Sequence, residues 1–359
     1  MSAVNETMAL AMAQKGFQVK RFDTAPRSLQ RTPGVRLARL VRFMRAGSAA
    51  LAFSLRHTGA AVYYSLSGGW GLLYEAASIG ATRLVRGRVV LHHHSFRYLD
   101  APFWPMALLV WTAGTGAMHI VLGPAMAWKL RQRYPTVRHV LELSNALFVA
   151  EAPVQPSRPL GKVGYLANLN PGKGIAEVMQ TIARSHTAGL PLQFVVAGPF
   201  EDPRGEIAFR AWATTMPNLE YRGAVYGTDK DNFYADIDAF IFPTRYRHEA
   251  EPLVVLEALA RGRPVIAYGR GCIPELLAGG VGQAVAPDAD FAGSAVERLM
   301  RWRSDRGEFT EQAERARRRF MELRSKSQVN ARRLFALFAG AKSMGPEVDS
   351  VAELSSRGL

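Results

Sequence analysis

Residues 240–267 alternate as strand, short loop, helix and strand, the rhythm that a parallel α/β sheet requires. Phe240, Ile241 and Phe242 end an apolar run that begins near Ile237, and Pro243 closes it. A polar loop, 244–251, leads to a helix at 253–261 that Pro252 opens and Gly262 stops, the expected asymmetry of Pro at a helix start and Gly past its end. Residues 264–267 return to the sheet. Two carboxylates mark the segment, Glu249 in the loop and Glu257 in the helix, eight positions apart. The helix N-terminus beside them offers backbone N–H groups and positive dipole character, which suit a phosphate. An arbitrary pair of glutamates is ordinarily surface charge. Glu257, however, lies between Leu256 and Ala258 in a segment of Leu, Val and Ala, and a carboxylate there needs a partner.

At 359 residues the chain is too long for one ordinary core and suggests two domains. Its 48% hydrophobic and 21% charged residues are those of a globular protein. The single cysteine, Cys272, excludes an internal disulfide and a cysteine-based metal site. The first apolar run, 8–12, is short and follows Glu6, so no secretory signal is expected. The net charge of +15 is uneven: residues 1–155 hold 18 Lys and Arg against 6 Asp and Glu, a balance of +12, and the remainder holds 27 against 24. Such basicity raises the question of nucleic acid, but no aromatic-interleaved basic motif or nucleic-acid module is present.

In the first half, 5–15 reads as a helix ended by Gly16, and 17–22 alternates as a strand. An α/β domain normally begins with a strand and a glycine-bearing turn before its first helix; neither is found here. Arg36, Arg39, Arg42 and Arg45 recur every third residue among Leu37, Leu40, Val41, Phe43 and Met44 in a helix within 27–57. This is either a solvated face or an interfacial helix on anionic lipid. A strand at 61–66 precedes the turn Ser67-Gly68-Gly69-Trp70-Gly71 and a helix at 72–79. The strand 89–92 ends in His92, His93, His94 and Ser95; adjacent strand residues point alternately, so three such histidines do not ligate one metal. Residues 101–128 contain no Asp, Glu, Lys or Arg, but Pro and Gly interrupt them; a buried helix at 105–113 and a core strand at 118–122 are expected instead of a membrane span. A short basic helix at 128–134, a strand at 140–143 and the Pro-rich segment 151–159, the best domain boundary, follow.

The second half repeats the βα rhythm. A strand at 163–167 runs into Asn168-Leu169-Asn170-Pro171-Gly172-Lys173-Gly174 and a helix at 175–188. A lysine beside glycines between strand and helix holds a diphosphate by charge while the backbone approaches closely, although the Gly-Lys-Ser/Thr of a Walker loop is absent. A strand at 192–197 ends at Gly198-Pro199, and helices are expected at 204–215 and 230–235. The loop Gly269-Arg270-Gly271-Cys272-Ile273-Pro274-Glu275 offers backbone amides to hydroxyls or phosphate. Two or more Arg- and Glu-rich helices occupy 289–338, and 340–359 reads as a mobile tail.

The stretch His248-Glu249-Ala250-Glu251-Pro252-Leu253, then Glu257-Ala258-Leu259-Ala260, Gly262 and Pro264-Val265-Ile266, resembles the signature of retaining family 4 glycosyltransferases (glycosyl transferases group 1) of the GT-B fold. The resemblance extends from Asn5 to about Phe338, with its specific motifs in the second half. It implies an α/β protein with two Rossmann-like parallel-sheet domains facing a cleft, the N-terminal one lacking its first strand. The implied division is an acceptor-side domain at 1–153, a nucleotide-sugar domain at 154–330, a helix at 331–340 returning to the first domain, and the tail at 341–359. By matched position Glu257 binds the ribose hydroxyls and Glu249 lies against the donor sugar. Lys173, Gly174, Gly198, Leu253 and Val254 serve the diphosphate side, and Gly271 and Glu275 belong to the sugar loop. His94, with His92 as the alternative on the same side, faces sugar and acceptor. Asn168 stands where the family has arginine, so either a second positive charge comes from elsewhere or affinity for the diphosphate is lower. The resemblance further implies a UDP- or GDP-linked sugar as substrate, a glycan or lipid-linked acceptor, no cofactor, no metal, no nucleic-acid partner, and a cytoplasmic location peripheral to an anionic membrane reached through Arg36, Arg39, Arg42 and Arg45. The competing expectation is a chain that keeps the fold without the activity.

Overall fold

A computed structural model describes residues 2–22, 33–57, 60–153 and 158–339, with the side chains of 2, 3 and 33–40 outside that description. The chain forms two compact units, one from Met1–Ser144 with the chain from Lys326, the other from Asn145–Ser325. The first unit contains α1 (Ser2–Gln14), α2 (Pro33–Arg56), β1 (Ala61–Ser65), α3 (Leu72–Leu84), β2 (Arg88–His92), α4 (Arg97–Asp100), α5 (Trp104–Ala113), β3 (Met118–Val121), α6 (Pro124–Arg133) and β4 (His139–Glu142). Its four strands are parallel in the order β1-β2-β3-β4. Each strand is added on the same side of the last, so right-handed crossovers place α3, α5 and α6 on one face. Helix α3 packs against both α2 and α5. Small residues permit this: a methyl at Gly47 would lie 3.6 Å from Ser78 Oγ, and one at Gly80 would lie 3.3 Å from Thr112 Cγ2.

Two expectations for this half meet the structure differently. The uncharged stretch 101–128 folds as α5, β3 and the start of α6, and among the described residues no helix is long and apolar enough to cross a membrane. The strand expected at 17–22 is absent; the segment has no regular structure and its Val19 is exposed. Alternation alone does not make a strand without a ladder partner, and Phe17 instead packs edge-on against Phe338, ring centroids 6.2 Å apart.

The second unit contains β5 (Lys162–Leu166), α7 (Ile175–Thr187), β6 (Gln193–Ala197), α8 (Pro203–Ala213), β7 (Leu219–Tyr221), α9 (Gly227–Asp236), β8 (Ala239–Phe242), α10 (Leu253–Ala260), β9 (Val265–Tyr268), α11 (Ile273–Leu276), β10 (Gly282–Val285), α12 (Phe291–Ser304) and the long α13 (Arg306–Ala339). Its six parallel strands lie in the order β10-β9-β8-β5-β6-β7. This is a doubly wound sheet whose winding reverses between β5 and β8, and ligands bind outside the carboxyl ends of the strands at such a reversal. The two central strands and β9 are buried almost throughout, which is why they read as unbroken apolar runs. Helix α7 packs with α12, and Tyr234 of α9 reaches α10. Up to Ser325, α13 belongs to this unit: the buried Arg324 guanidinium donates to Glu151 Oε1 at 3.0 Å and to the Val149 carbonyl. From Lys326 it belongs to the first unit, where Lys326 pairs with Glu142 at 2.5 Å and Asn330 Nδ2 donates to the Glu142 carbonyl at 2.8 Å. The segment 340–359, expected to be a tail, lies outside the described residues.

Candidate active site

At the reversal point of the second sheet, the loops after β5 and β8 run apart and carry the two residues with the strongest sequence signal. Lys173 Nζ lies 2.6 Å from Glu249 Oε2, and Thr244 Oγ1 donates to the same oxygen at 3.1 Å. The rings of Phe242 and Tyr246 stand 5.7 and 5.5 Å from the ammonium, within cation–π range. The backbone of Lys173 is fixed at both ends. Its N–H donates to Asn170 Oδ1 at 2.9 Å, and its carbonyl accepts from Tyr165 Oη at 2.8 Å. Gly174 then turns at φ +84, where an added methyl would stand 1.9 Å from the Pro243 carbonyl. Only glycine fits so close an approach of the two loops.

Two helices start here without side-chain caps: α7 after Gly174 and α10 after Pro252. The first N–H groups of a helix have no acceptor within it, so Leu253 and Val254 bring donors and positive dipole to the end of the loop that carries Glu249. Asn168 is exposed on the β5 loop and adds no charge. A second cation does stand nearby, on a residue the sequence motifs did not single out. Arg245 donates its N–H to the Gly172 carbonyl at 2.9 Å and pairs at 2.7 Å with Glu177, in the first turn of α7.

Glu257 has the partners its apolar surroundings demand. Lys230 Nζ is 2.7 Å from Oε1, and Tyr234 Oη donates to Oε2 at 2.9 Å. Burial first, and the Glu257 charge second, hold the Tyr234 phenol well above its ordinary pKa, so it remains a donor. Neither Lys230 nor Tyr234 belongs to a recognisable motif; they reach Glu257 from α9. A carboxylate has about four lone-pair sites, so two protein donors leave capacity for ligand hydroxyls.

The loop 269–275 is tied to the Glu249 loop. Cys272 N–H donates to the Ala250 carbonyl at 2.9 Å, and a methyl on Gly271, at φ +56, would sit 2.2 Å from the Glu249 carbonyl. The amides of Gly269, Arg270, Cys272, Ile273 and Glu275 are all bonded within the protein. This corrects the expectation of a row of available donors: Val285 takes the Gly269 amide, Tyr268 that of Arg270 and Ala250 that of Cys272, and the start of α11 takes those of Ile273 and Glu275, leaving Gly271. Glu275 is part-buried on α11, its carbonyl accepting from Arg319 at 2.8 Å. Gly198, at φ +120, closes β6 against β5, with Ala167 O 1.8 Å from where a methyl would be. Asn145 N–H and Nδ2 both bond Glu251, at 2.5 and 2.9 Å, anchoring the rear of the Glu249 loop.

In the first unit the histidine run sits at the carboxyl edge of β2. Leu66 N–H donates to the His92 carbonyl and His93 N–H to that of Ile120, each at 2.9 Å, carrying the ladder beyond the strands. The alternation holds. The rings of His92 and His94 lie 4.0 Å apart, whereas His93 turns to Tyr98 Oη at 3.2 Å and to His119 at 3.0 Å. His92 Nδ1 meets the Tyr63 hydroxyl. Burial pulls His94 down to about 4 and His92 well below its ordinary value, so both imidazoles are neutral near pH 7. Of the basic helix, Arg42 is part-buried and Arg45 exposed on α2; the side chains of Arg36 and Arg39 lie outside the described residues.

Comparison with known proteins places this geometry. Residues 161–303 match the family described as Glycosyl transferases group 1. The sulfoquinovosyl transferase SQD2 of Arabidopsis thaliana is 26% identical over 214 residues, which are 53% of this chain and 37% of that protein. The matched stretch therefore spans little more than a third of that relative. HepE of Anabaena, solved in complex with UDP, superposes with a TM-score of 0.65 at 17% identity over 90% of this chain and 88% of its own. Sucrose-phosphate synthase of Thermosynechococcus elongatus does so with 0.66 at 16% identity, covering 93% of this chain and 92% of its own. The fold is α/β of the GT-B type with two parallel sheets, and the stretch 161–303 that matches the group 1 family holds Lys173, Glu249 and Glu257.

Proposed function

We propose that this chain is a retaining, metal-independent family 4 glycosyltransferase that moves a hexosyl or related group from a UDP- or GDP-sugar to a glycan or lipid-linked acceptor of a cell-surface polysaccharide or glycolipid. The observation that carries the proposal is the Lys173–Glu249 contact at the sheet reversal, between the two loops that lead into the uncapped starts of α7 and α10. UDP in the HepE structure supports a uridine donor. Cleavage of the anomeric C–O bond leaves the electron pair on the departing diphosphate. Lys173, with Leu253 and Val254 N–H, neutralises that charge, the largest expected catalytic effect. Arg245 is the second cation in place of one at Asn168. Glu249, released from Lys173 by the incoming phosphate, accepts from the sugar hydroxyls and offsets positive charge developing at the anomeric carbon. Glu257 takes the ribose hydroxyls, and the Gly271 N–H is the sugar loop's donor. In the first unit the neutral His94 is the residue assigned to the acceptor.

The chain is proposed to act on the cytoplasmic side of an anionic membrane, bound peripherally through α2. The balance of +12 on residues 1–155 supports this, and each basic residue near such a surface contributes about 1 kcal/mol. Nucleoside diphosphate release from a panel of UDP- and GDP-sugars, with and without EDTA, tests the activity. Turnover indifferent to EDTA is expected. Glu257→Gln should weaken nucleotide binding tenfold to a hundredfold, the effect of about 1.5–3 kcal/mol for a lost charged hydrogen bond. Glu249→Gln should chiefly lower turnover. A parent that binds nucleotide but turns over none of the panel would favour the inactive alternative, and equal behaviour of parent and both variants would remove the assignment.

A further inference from the structure

We infer that the outer face of the α2, α3 and α5 layer is a tryptophan-bearing surface that enters the interfacial region of an anionic bilayer. The inference deepens the peripheral-membrane part of the proposed function and rests on it, but it assigns a different set of residues. On α5, Trp104, Leu108 and Trp111 are spaced at i, i+4 and i+7 and share one stripe. Pro105, Met106, Leu109, Val110 and Ala113 fill the buried side of the same helix. The stripe is open: Trp104 is 59% and Trp111 78% exposed. Trp70, also 59% exposed, extends it from the turn before α3, with its ring 5.7 Å from Phe103 and 6.0 Å from Trp104. One turn later the exposed Tyr74 stacks on Phe43 of α2 at 5.2 Å, next to the exposed Met44. Exposed aromatic rings thus stand on α5, in the turn before α3, and where α3 meets α2.

Single exposed apolar residues are normal, but a contiguous aromatic patch marks a partner surface. Its charge says which partner. Helices α2 and α5 contain no Asp or Glu, and the one carboxylate of α3, Glu75, is buried, accepting from Ser67 N–H at 3.1 and 3.3 Å. Against it stand Arg42, Arg45 and Arg56 of α2 and Arg83 of α3. A second copy docked through this face would bring arginine against arginine. An anionic headgroup layer satisfies both features, because arginines meet phosphates while indole rings, apolar with one N–H donor, settle at the boundary of headgroup and acyl chain.

A basic helix acting alone is held by charge and is released as screening shortens to about 3 Å at molar salt. The tryptophans add a component that salt does not remove. Co-sedimentation with vesicles of phosphatidylcholine and phosphatidylglycerol, at low and at molar salt, separates the two. Arg42→Gln with Arg45→Gln should lose low-salt binding. Trp104→Ser with Trp111→Ser should lower partitioning about tenfold and abolish the salt-resistant fraction. The tryptophan variant should keep the parent's melting temperature and UDP affinity, and Trp128→Ser on α6 should bind vesicles like the parent. Brominated phosphatidylcholine in these vesicles should quench the parent's tryptophan emission more than that of the double variant. Equal partitioning of the tryptophan variant and the parent would overturn the inference and leave the basic helix standing. Absence of vesicle binding at low salt would overturn both and, with UDP binding intact, leave the transferase. A patch whose loss instead abolishes self-association in ultracentrifugation, or retention on immobilised oligosaccharide, with vesicle binding unchanged, would belong to a second copy or to a sugar.

Discussion

Glu249 and Lys173 neutralise each other at 2.6 Å, each partly shielded from water, and a diphosphate bound as proposed would have to displace that contact. Truncating either partner of such a pair leaves the other uncompensated, so single and double variants should not add. Lys173→Ala should therefore remove most affinity for UDP, by tenfold to a hundredfold for about 1.5–3 kcal/mol, with little change for uridine. Adding Glu249→Gln should cost less than the two separate losses, and Asn168→Arg should raise UDP affinity. Calorimetry that finds Lys173→Ala binding UDP like the parent would reduce the β5 loop to a turn. Lys173, Glu249 and Glu257 were legible in the sequence because each sits in a short local pattern. Lys230, Tyr234 and Arg245 were not. They meet Glu257 and Glu177 across 27, 23 and 68 positions, and nothing in their own neighbourhoods announces a partner that distant.

Strands β5, β6, β8 and β9 of the second unit could be located to within a few residues because they are buried and bounded by Gly or Pro, whereas the more exposed β10 and the short α11 were not expected. The alternation at 17–22 misled for the opposite reason: a half-buried strand is defined by its neighbour, and periodicity does not supply one. How the loops between elements touch was also illegible, although it fixes the site. Gly271 shows this best. Its φ of +56 and the 2.2 and 2.5 Å from its missing Cβ to the carbonyls of Glu249 and Ala250 mean that the loop 269–275 lies directly on the backbone of the Glu249 loop. Gly279, at φ +81, has nothing within 4 Å. Both positions carry the left-handed penalty of about 1–2 kcal/mol for a non-glycine residue, but only the first displaces a neighbour. Gly271→Ala should thus lower turnover of the nucleotide sugar by an order of magnitude or more and depress the melting temperature further than Gly279→Ala does. Gly279→Ala should lose stability and keep its turnover. If the two variants match in both measurements, the loop contact does not position Glu249.

The two units differ as wholes in charge and in what they bury. The uneven charge was visible in the sequence, whereas the burial of one histidine cluster in the basic unit was not, since a histidine run reads the same on a surface. His92, His93, His94 and His119 are all pulled below their ordinary value, chiefly by burial, His94 and His119 to about 4. Tyr63 and Tyr98 face His92 and His93 as hydrogen-bond partners and remain protonated, and His139 lies near enough to His119 to disfavour its charge further. In the unfolded chain these rings take up protons at an ordinary value near 6.5. Below that pH the unfolded state binds more protons than the folded one, so the stability they allow is complete above about 6.5 and falls as acid is added toward about 4. His94 and His119 each contribute a slope of up to about 1.4 kcal/mol per pH unit over that window, and His92 and His93, held below their ordinary value by burial, act in the same direction, so acid removes a sizeable part of a domain's stability of about 5–15 kcal/mol. The second unit has only His186 and His248. Hydrogen exchange between about pH 7.5 and about pH 5 should show protection collapsing in β1 to β4 while β5 to β9 stay protected. His119→Gln, whose amide can still hydrogen-bond His93, should flatten the slope by one histidine's share. Uniform loss of protection across both sheets, or none in the first, would mean that the cluster is not what acid attacks.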